Sequence, residues 1–155
     1  RAAGPAGEPH AAEAGVRQRD VDDDWTLRIA GATSALALSR SELAALPQTT
    51  ADLPIACVEG WSQTATWTGV PLREVLELAG GTAGAGVRVT SLQVRGAFSR
   101  TVMPQVYVDD PLTLIALKLG GEELDIDHGY PARIIAPGRP GVMQTKWLSS
   151  IEVLR

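Results

Sequence analysis

The stretch "DHGYPARIIAPGRPGVMQTKWLSSIEV", Asp127 to Val153, contains two apolar runs, "ARIIAP" and "WLSSIEV", joined by a loop punctuated by Gly138, Pro140 and Gly141. Both runs are short, rich in Ile, Val, Leu or Trp and bounded by turn residues, so they read as buried strands with a tight loop between them. No helix separates them. The same habit appears at the start, where "WTLRIAG" alternates Trp25, Leu27 and Ile29 inward and "SALALS" repeats the alternation after a short turn. "LPIACV" reads as a short apolar strand and "VRVTSLQV" as another. "FSRTVMPQVYV" reads as extended but less regular, and "ELDIDHGYP" as a strand and turn. Strands outnumber helices and do not alternate with them, which predicts an α+β domain of mixed β-sheets with a few short helices, not a doubly wound one.

Three helices are expected between these strands. Ser39 and Glu42 have capping-box spacing ahead of "LAAL", with Pro47 ending that helix after about two turns. Pro71 fits the first position of a second, with Leu72, Val75, Leu76 and Ala79 on one face and Gly80–Gly81 as its exit. Asp110 and Pro111 open a third through "LTLIALKL", ended by Gly120 and Gly121. Residues 1–21, rich in Ala, Gly, Pro and Glu at their start, are expected to form an N-terminal arm that gains order only by lying on the rest, and residues 22–155 one folded domain.

Eighteen acidic residues against fourteen Lys and Arg leave a net charge of −4, so no broad basic field exists to attract nucleic acid. The one cysteine, Cys57, excludes an internal disulfide, an iron–sulfur cluster and a c-type haem motif. No apolar run is long enough to cross a bilayer as a helix. The chain opens at Arg1 rather than methionine, which is expected of a processed or excised piece, with room for a leader or membrane anchor outside it. Among the late strands His128, Arg133 and Lys146 stand out. A guanidinium fork and an ammonium on neighbouring elements are a common means of holding a phosphate. Read singly, Arg133 and Lys146 are as compatible with ordinary surface charges and His128 with a hydrogen-bonded turn. Cys57 alone reads equally as a small buried hydrophobe.

Three separated pieces, "CVEGWSQTATWTGVPLREVL", "LTLIALKLGGEELDIDHGYPARIIAP" and "QTKWLSSIEV", resemble in order the molybdopterin-binding oxidoreductase domain of the sulfite oxidase family, including its bacterial members related to the methionine sulfoxide reductase catalytic subunit. The resemblance runs from about Trp25 to the C-terminus. It implies that Cys57 is the protein's thiolate ligand to molybdenum, a soft donor suited to that metal. It also implies that His128 and Arg133 contact the pterin and its phosphate, with Gln144, Thr145 and Lys146 as the second wall of the phosphate site. Ser91 is expected to touch the cofactor, and Trp61 and Ser62 to shape the surroundings of the metal. Arg95, Arg100 and Tyr107 fall where the family has its substrate funnel, and Trp67 reads as a packing aromatic beside the cysteine segment.

The resemblance further implies molybdopterin as cofactor, oxygen-atom or two-electron transfer with a small-molecule substrate, a separate electron-transfer partner (a haem protein or membrane subunit) and an extracytoplasmic, possible membrane-tethered setting. The residues before Cys57, "TTADLPIA", lack the arginine that sulfite oxidases carry there, which argues against sulfite. The arm lacks the asparagine- and aromatic-rich segment that caps the cofactor in the methionine sulfoxide reductase type. A non-catalytic pterin-binding or electron-relay domain of a larger membrane protein is the alternative reading. A thiol hydrolase pairing Cys57 with His128 is a third, disfavoured because the sequence positions no acid or amide to orient the histidine.

Overall fold

The computed structural model describes residues 9–56 and 62–155. Its strands form two sheets. The first has the order β2-β1-β10-β5-β6, built from β1 (Thr26–Ala30), β2 (Ala35–Ser39), β5 (Val87–Ser91), β6 (Arg100–Met103) and β10 (Leu148–Val153). Every pairing in it is antiparallel except β1 with β10, which run parallel. The second consists of β3 (Thr49–Ala56), β4 (Ser62–Pro71), β7 (Leu114–Leu119) and β8 (Glu122–Glu123) in that order, with β9 (Arg133–Ile135) also paired to β7. The expected α+β class with mixed sheets and short helices is what the chain adopts.

The facing sides of the two sheets share one core. Leu27, Ile29, Val87, Val89, Leu148 and Ile151 from the first sheet pack with Val70, Ile115, Leu117 and Ile134 from the second. Helix α2 (Arg40–Ala45) adds Leu43 and helix α3 (Leu72–Leu78) adds Leu72, Val75 and Leu76. The capping box at α2 forms as its spacing predicts: the Ser39 hydroxyl accepts the Glu42 N–H at 3.1 Å and Glu42 Oε1 accepts the Ser39 N–H at 3.0 Å. Trp25, just ahead of β1, donates its indole N–H to the Leu148 carbonyl at 2.8 Å, tying the entry of the domain to its closing strand.

The third predicted helix does not form. Asp110 to Thr113 make a turn in which Asp110 Oδ1 accepts the Leu112 N–H at 2.9 Å and its carbonyl accepts that of Thr113 at 3.0 Å, and "LIALKL" is strand β7. The apolar run misleads because β7 is covered on both faces: Ile115 and Leu117 enter the main core, while Leu114 and Ala116 pack with Leu53, Trp67, Leu124 and Ile135 in a second one. A strand buried on both sides loses its alternation and reads like a short buried helix. Gly120 and Gly121, at φ 63° and 83°, turn the hairpin into β8 rather than ending a helix.

Two further differences concern length. Between the cysteine segment and α3 lies not a loop alone but the ten-residue strand β4, whose polar threonines hide it from a search for apolar runs. The "FSRTVMPQVYV" segment divides at Pro104 into β6 and a four-residue helix, α4 (Gln105–Val108). The arm carries a one-turn helix, α1 (Ala11–Ala14), and a 3-10 turn over Gln18–Val21. Ala11, Ala14, Val16 and Val21 pack against Trp147 in a third small cluster.

Candidate cofactor site

The two strands of the opening stretch, β9 and β10, bring the loop between them against the arm. Between the arm and the connection from β5 to β6, with Val142 of the loop beside them, runs a cleft of about 470 Å³, walled by Pro9, Glu13 and Ala14 on one side and by Gln93, Arg95, Phe98 and Val142 on the other. A narrow recess adjoins it, sharing Pro9, Gln93 and Val142 and reaching Gln144, Thr145, Lys146 and Trp147. The cleft lies in the size class that holds small-molecule cofactors.

Lys146 is 4% exposed, and its ammonium donates to the carbonyls of Asp127 at 2.6 Å and Pro9 at 2.8 Å. The ammonium also stands 5.2 Å from the Trp147 ring. Thr145 is 3% exposed, and its hydroxyl has no hydrogen-bond partner among the described residues. Buried hydroxyls are seldom left so, because the group forfeits its water without replacement. Trp147 follows in a left-handed backbone conformation, φ 51°, which costs a non-glycine residue about 1–2 kcal/mol. Its indole N–H to the Ile126 carbonyl and its own carbonyl to the Leu92 N–H at 2.7 Å hold it there.

Behind this front the remaining expected site residues act as braces. The Gln144 amide closes its own loop, accepting the Ala136 N–H at 2.9 Å and donating to the Arg139 carbonyl at 2.9 Å. Arg133 is fully buried and lines neither cleft nor recess. Its guanidinium donates to the carbonyls of His128 and Gln144, each at 3.2 Å, and stacks 4.9 Å from the Trp67 ring, so it welds β9 to both loops. Gly129, at φ 117°, lets the turn pass between Arg133 and Lys146: an added Cβ would lie 2.9 Å from Arg133 Cβ and 3.3 Å from Lys146 Cβ. The His128 ring rests on Asp125, Nδ1 to Oδ1 at 2.8 Å, and the same oxygen accepts the His128 backbone N–H. Ser91 donates to the Lys146 carbonyl at 2.8 Å and accepts the Gln93 N–H at 3.0 Å.

The structure therefore gathers Gln144, Thr145 and Lys146 at the recess, sets Ser91, His128 and Arg133 around it as supports, and leaves Cys57 and Trp61 outside the described residues. Ser62 begins β4, its backbone paired with Ala56. Arg95 reaches the cleft, but its guanidinium is spent on the Ala12 and Glu13 carbonyls; Arg100 and Tyr107 do not line it.

Sequence reasoning passed over Asp127, whose carboxylate holds the arm, and Arg139. The latter is 4% exposed, bonds the Val102 carbonyl at 3.1 Å, stands 5.6 Å from the Tyr107 ring and leaves Nη1 without a partner among the described residues. Burial holds the Arg139 guanidinium below its ordinary pKa, with Tyr107 pulling in the opposite direction. Both residues sit beside glycines in the opening stretch, at Asp127-His128-Gly129 and Gly138-Arg139, which was the available signal.

A buried lysine and an unpartnered hydroxyl at the foot of a cofactor-sized cleft fit a ligand with an anionic tail. The model of the oxidoreductase molybdopterin-binding domain family matches residues 13–155, and the chain belongs to that family, whose cofactor is molybdopterin.

The chain is 36% identical over 109 residues to the protein-methionine-sulfoxide reductase catalytic subunit MsrP of Xanthomonas campestris pv. campestris, covering 63% of this chain and 34% of the relative. It is 35% identical over 104 residues to the NADPH nitrate reductase of Neurospora crassa, covering 62% of this chain and 11% of that one. Among solved structures, the sulfane dehydrogenase SoxCD from Paracoccus pantotrophus superposes with a TM-score of 0.73 at 25% identity, over 84% of this chain and 38% of that chain. The chain thus spans about a third or less of the curated relatives it matches.

Proposed function

We propose that this domain holds a molybdenum–molybdopterin cofactor and uses it for two-electron, oxygen-atom-transfer chemistry on a small substrate, with Cys57 as the thiolate ligand to the metal. Bound there, the cofactor supplies the redox chemistry, and the chain supplies position, charge and exclusion of water. In this reading Lys146 and Thr145 take the phosphate, the first by charge and the second by the hydroxyl that no atom of the described residues satisfies. Gln144, Arg133, His128 and Ser91 hold those two in place. Trp61 and Ser62 complete the surroundings of the metal. The observation that carries the reading is the Thr145–Lys146 recess opening into a cleft in a chain of this family.

Among the described residues no cluster of His, Cys, Asp or Glu could hold a further metal. In this reading electrons pass to or from a separate electron-transfer partner, a haem protein or membrane subunit. The name of the Xanthomonas relative, a catalytic subunit, supports that division of labour. A setting outside the cytoplasm, with any membrane attachment supplied from outside this chain, follows by analogy with the bacterial members. Among the described residues no helix is long and apolar enough to cross a membrane. Fractionation of the native host tests the location.

The central test is expression in a cofactor-competent host, followed by elemental analysis for molybdenum and fluorimetric assay of released pterin. About one molybdenum per chain is expected, lost in Cys57→Ser with pterin partly retained. Protein carrying neither metal nor pterin refutes the proposal.

A further inference from the structure

The arm forms one wall of the cleft, yet its described part has little to hold it there: among the described residues the apolar groups it buries are Ala11, Ala14, Val16 and Val21. Small side chains supply little hydrophobic attachment, so polar ties must carry much of it. Three of them converge on one residue of the opening stretch. Asp127 is 3% exposed; its Oδ1 accepts the Ala11 N–H at 3.0 Å, and its Oδ2 stands 3.6 Å from His10 Nδ1. Its backbone carbonyl accepts the Lys146 ammonium at 2.6 Å, and the same ammonium reaches back to the Pro9 carbonyl at 2.8 Å. A carboxylate so deeply buried is costly unless its partners are fixed, which makes the contact selective for one placement of the arm.

We propose that Asp127 is a positioning residue for the cofactor cleft: its side chain fastens the arm as the cleft wall while its carbonyl sets the Lys146 ammonium at the recess. The inference rests on the reading that this recess takes the cofactor phosphate. Asp127 works through others, since it lines neither cleft nor recess. Its neighbour Asp125 is the natural control. Asp125 caps the same turn, through the His128 N–H, and among the described residues makes no bond to the arm.

The test compares wild type, Asp127→Ala, Asp127→Asn and Asp125→Ala. In cofactor-free protein, hydrogen exchange is followed at the Ala14 and Val16 amides, which bond within the arm, and at Val89 and Ile151 in the core. Asp127→Ala is expected to speed exchange in the arm about tenfold or more with core protection kept, because local opening is governed by the lost ties. Asp127→Asn retains an acceptor for the Ala11 N–H and falls between, and Asp125→Ala leaves the arm protected. In protein purified with cofactor, pterin is expected to leave Asp127→Ala about tenfold faster than wild type on repeated desalting. Unchanged arm exchange in Asp127→Ala overturns the fastening role. Faster arm exchange with unchanged pterin release overturns the positioning role while sparing the proposed function. Wild-type protein that never carries pterin strikes the proposed function itself, a result distinct from both.

Discussion

Replacing Thr145 by valine separates folding from binding at a single atom. The two side chains have nearly the same shape, and the hydroxyl removed is buried without a partner among the described residues. A buried polar group left unsatisfied costs about 1–3 kcal/mol. Because the neighbouring loop can relax toward it, the lower end applies, and cofactor-free Thr145→Val should gain about 1 kcal/mol. For a chain of this size that raises the melting temperature by about 2–4 °C. Cofactor affinity moves the other way. A hydrogen bond to a charged phosphate contributes about 1.5–3 kcal/mol, so the variant should bind about 10- to 150-fold more weakly. Urea denaturation of the cofactor-free protein and pterin release from the loaded protein measure the two effects. A loss of more than about 0.5 kcal/mol in the cofactor-free variant would mean that the hydroxyl has a protein partner. A gain in stability with unchanged release would mean that the phosphate sits elsewhere.

Gly129→Ala should cost about 3 kcal/mol in urea denaturation, since it combines a disfavoured positive φ with a Cβ forced against Arg133 and Lys146. It should also speed pterin release, because both braces of the recess shift. Leu27→Ala, fully buried in the main core, should cost about 2–5 kcal/mol with an unchanged denaturant slope, and should leave the arm's relative exchange protection as it is.

How far the sequence speaks depends on which face each element shows to solvent. Strand β1 keeps one side toward the core and is readable from alternation. Strand β7 has no polar side, and its run of Leu, Ile and Ala carries no period by which to tell strand from helix. Strand β4 fails in the opposite way, because threonines suit a strand while hiding it from a hydrophobic search. At the site, glycine spacing and lone charges marked the right loops, but not which side chains face the cleft. Gln144 and Arg133 have polar groups suited to a ligand, and both spend them on backbone carbonyls and amides. That choice is made by burial, and burial depends on partners distant in the chain. Asp127 illustrates the limit: its bond to Ala11 spans 116 positions, and no local pattern encodes it.

The parallel pairing of β1 with β10 carries a consequence for the order in which this domain can be assembled. Arg28 aligns with Ser150, so the strand that opens the first sheet has to wait about 120 residues for its central neighbour. On a ribosome adding roughly 5–20 residues per second, the β1–β2 hairpin would remain half-paired for some seconds. Lys146 and Trp147 are made only just before that neighbour, so the recess cannot exist until the ribosome has passed them. Any cofactor must therefore be inserted after translation has passed this point, into a domain whose sheet has only then been zipped shut.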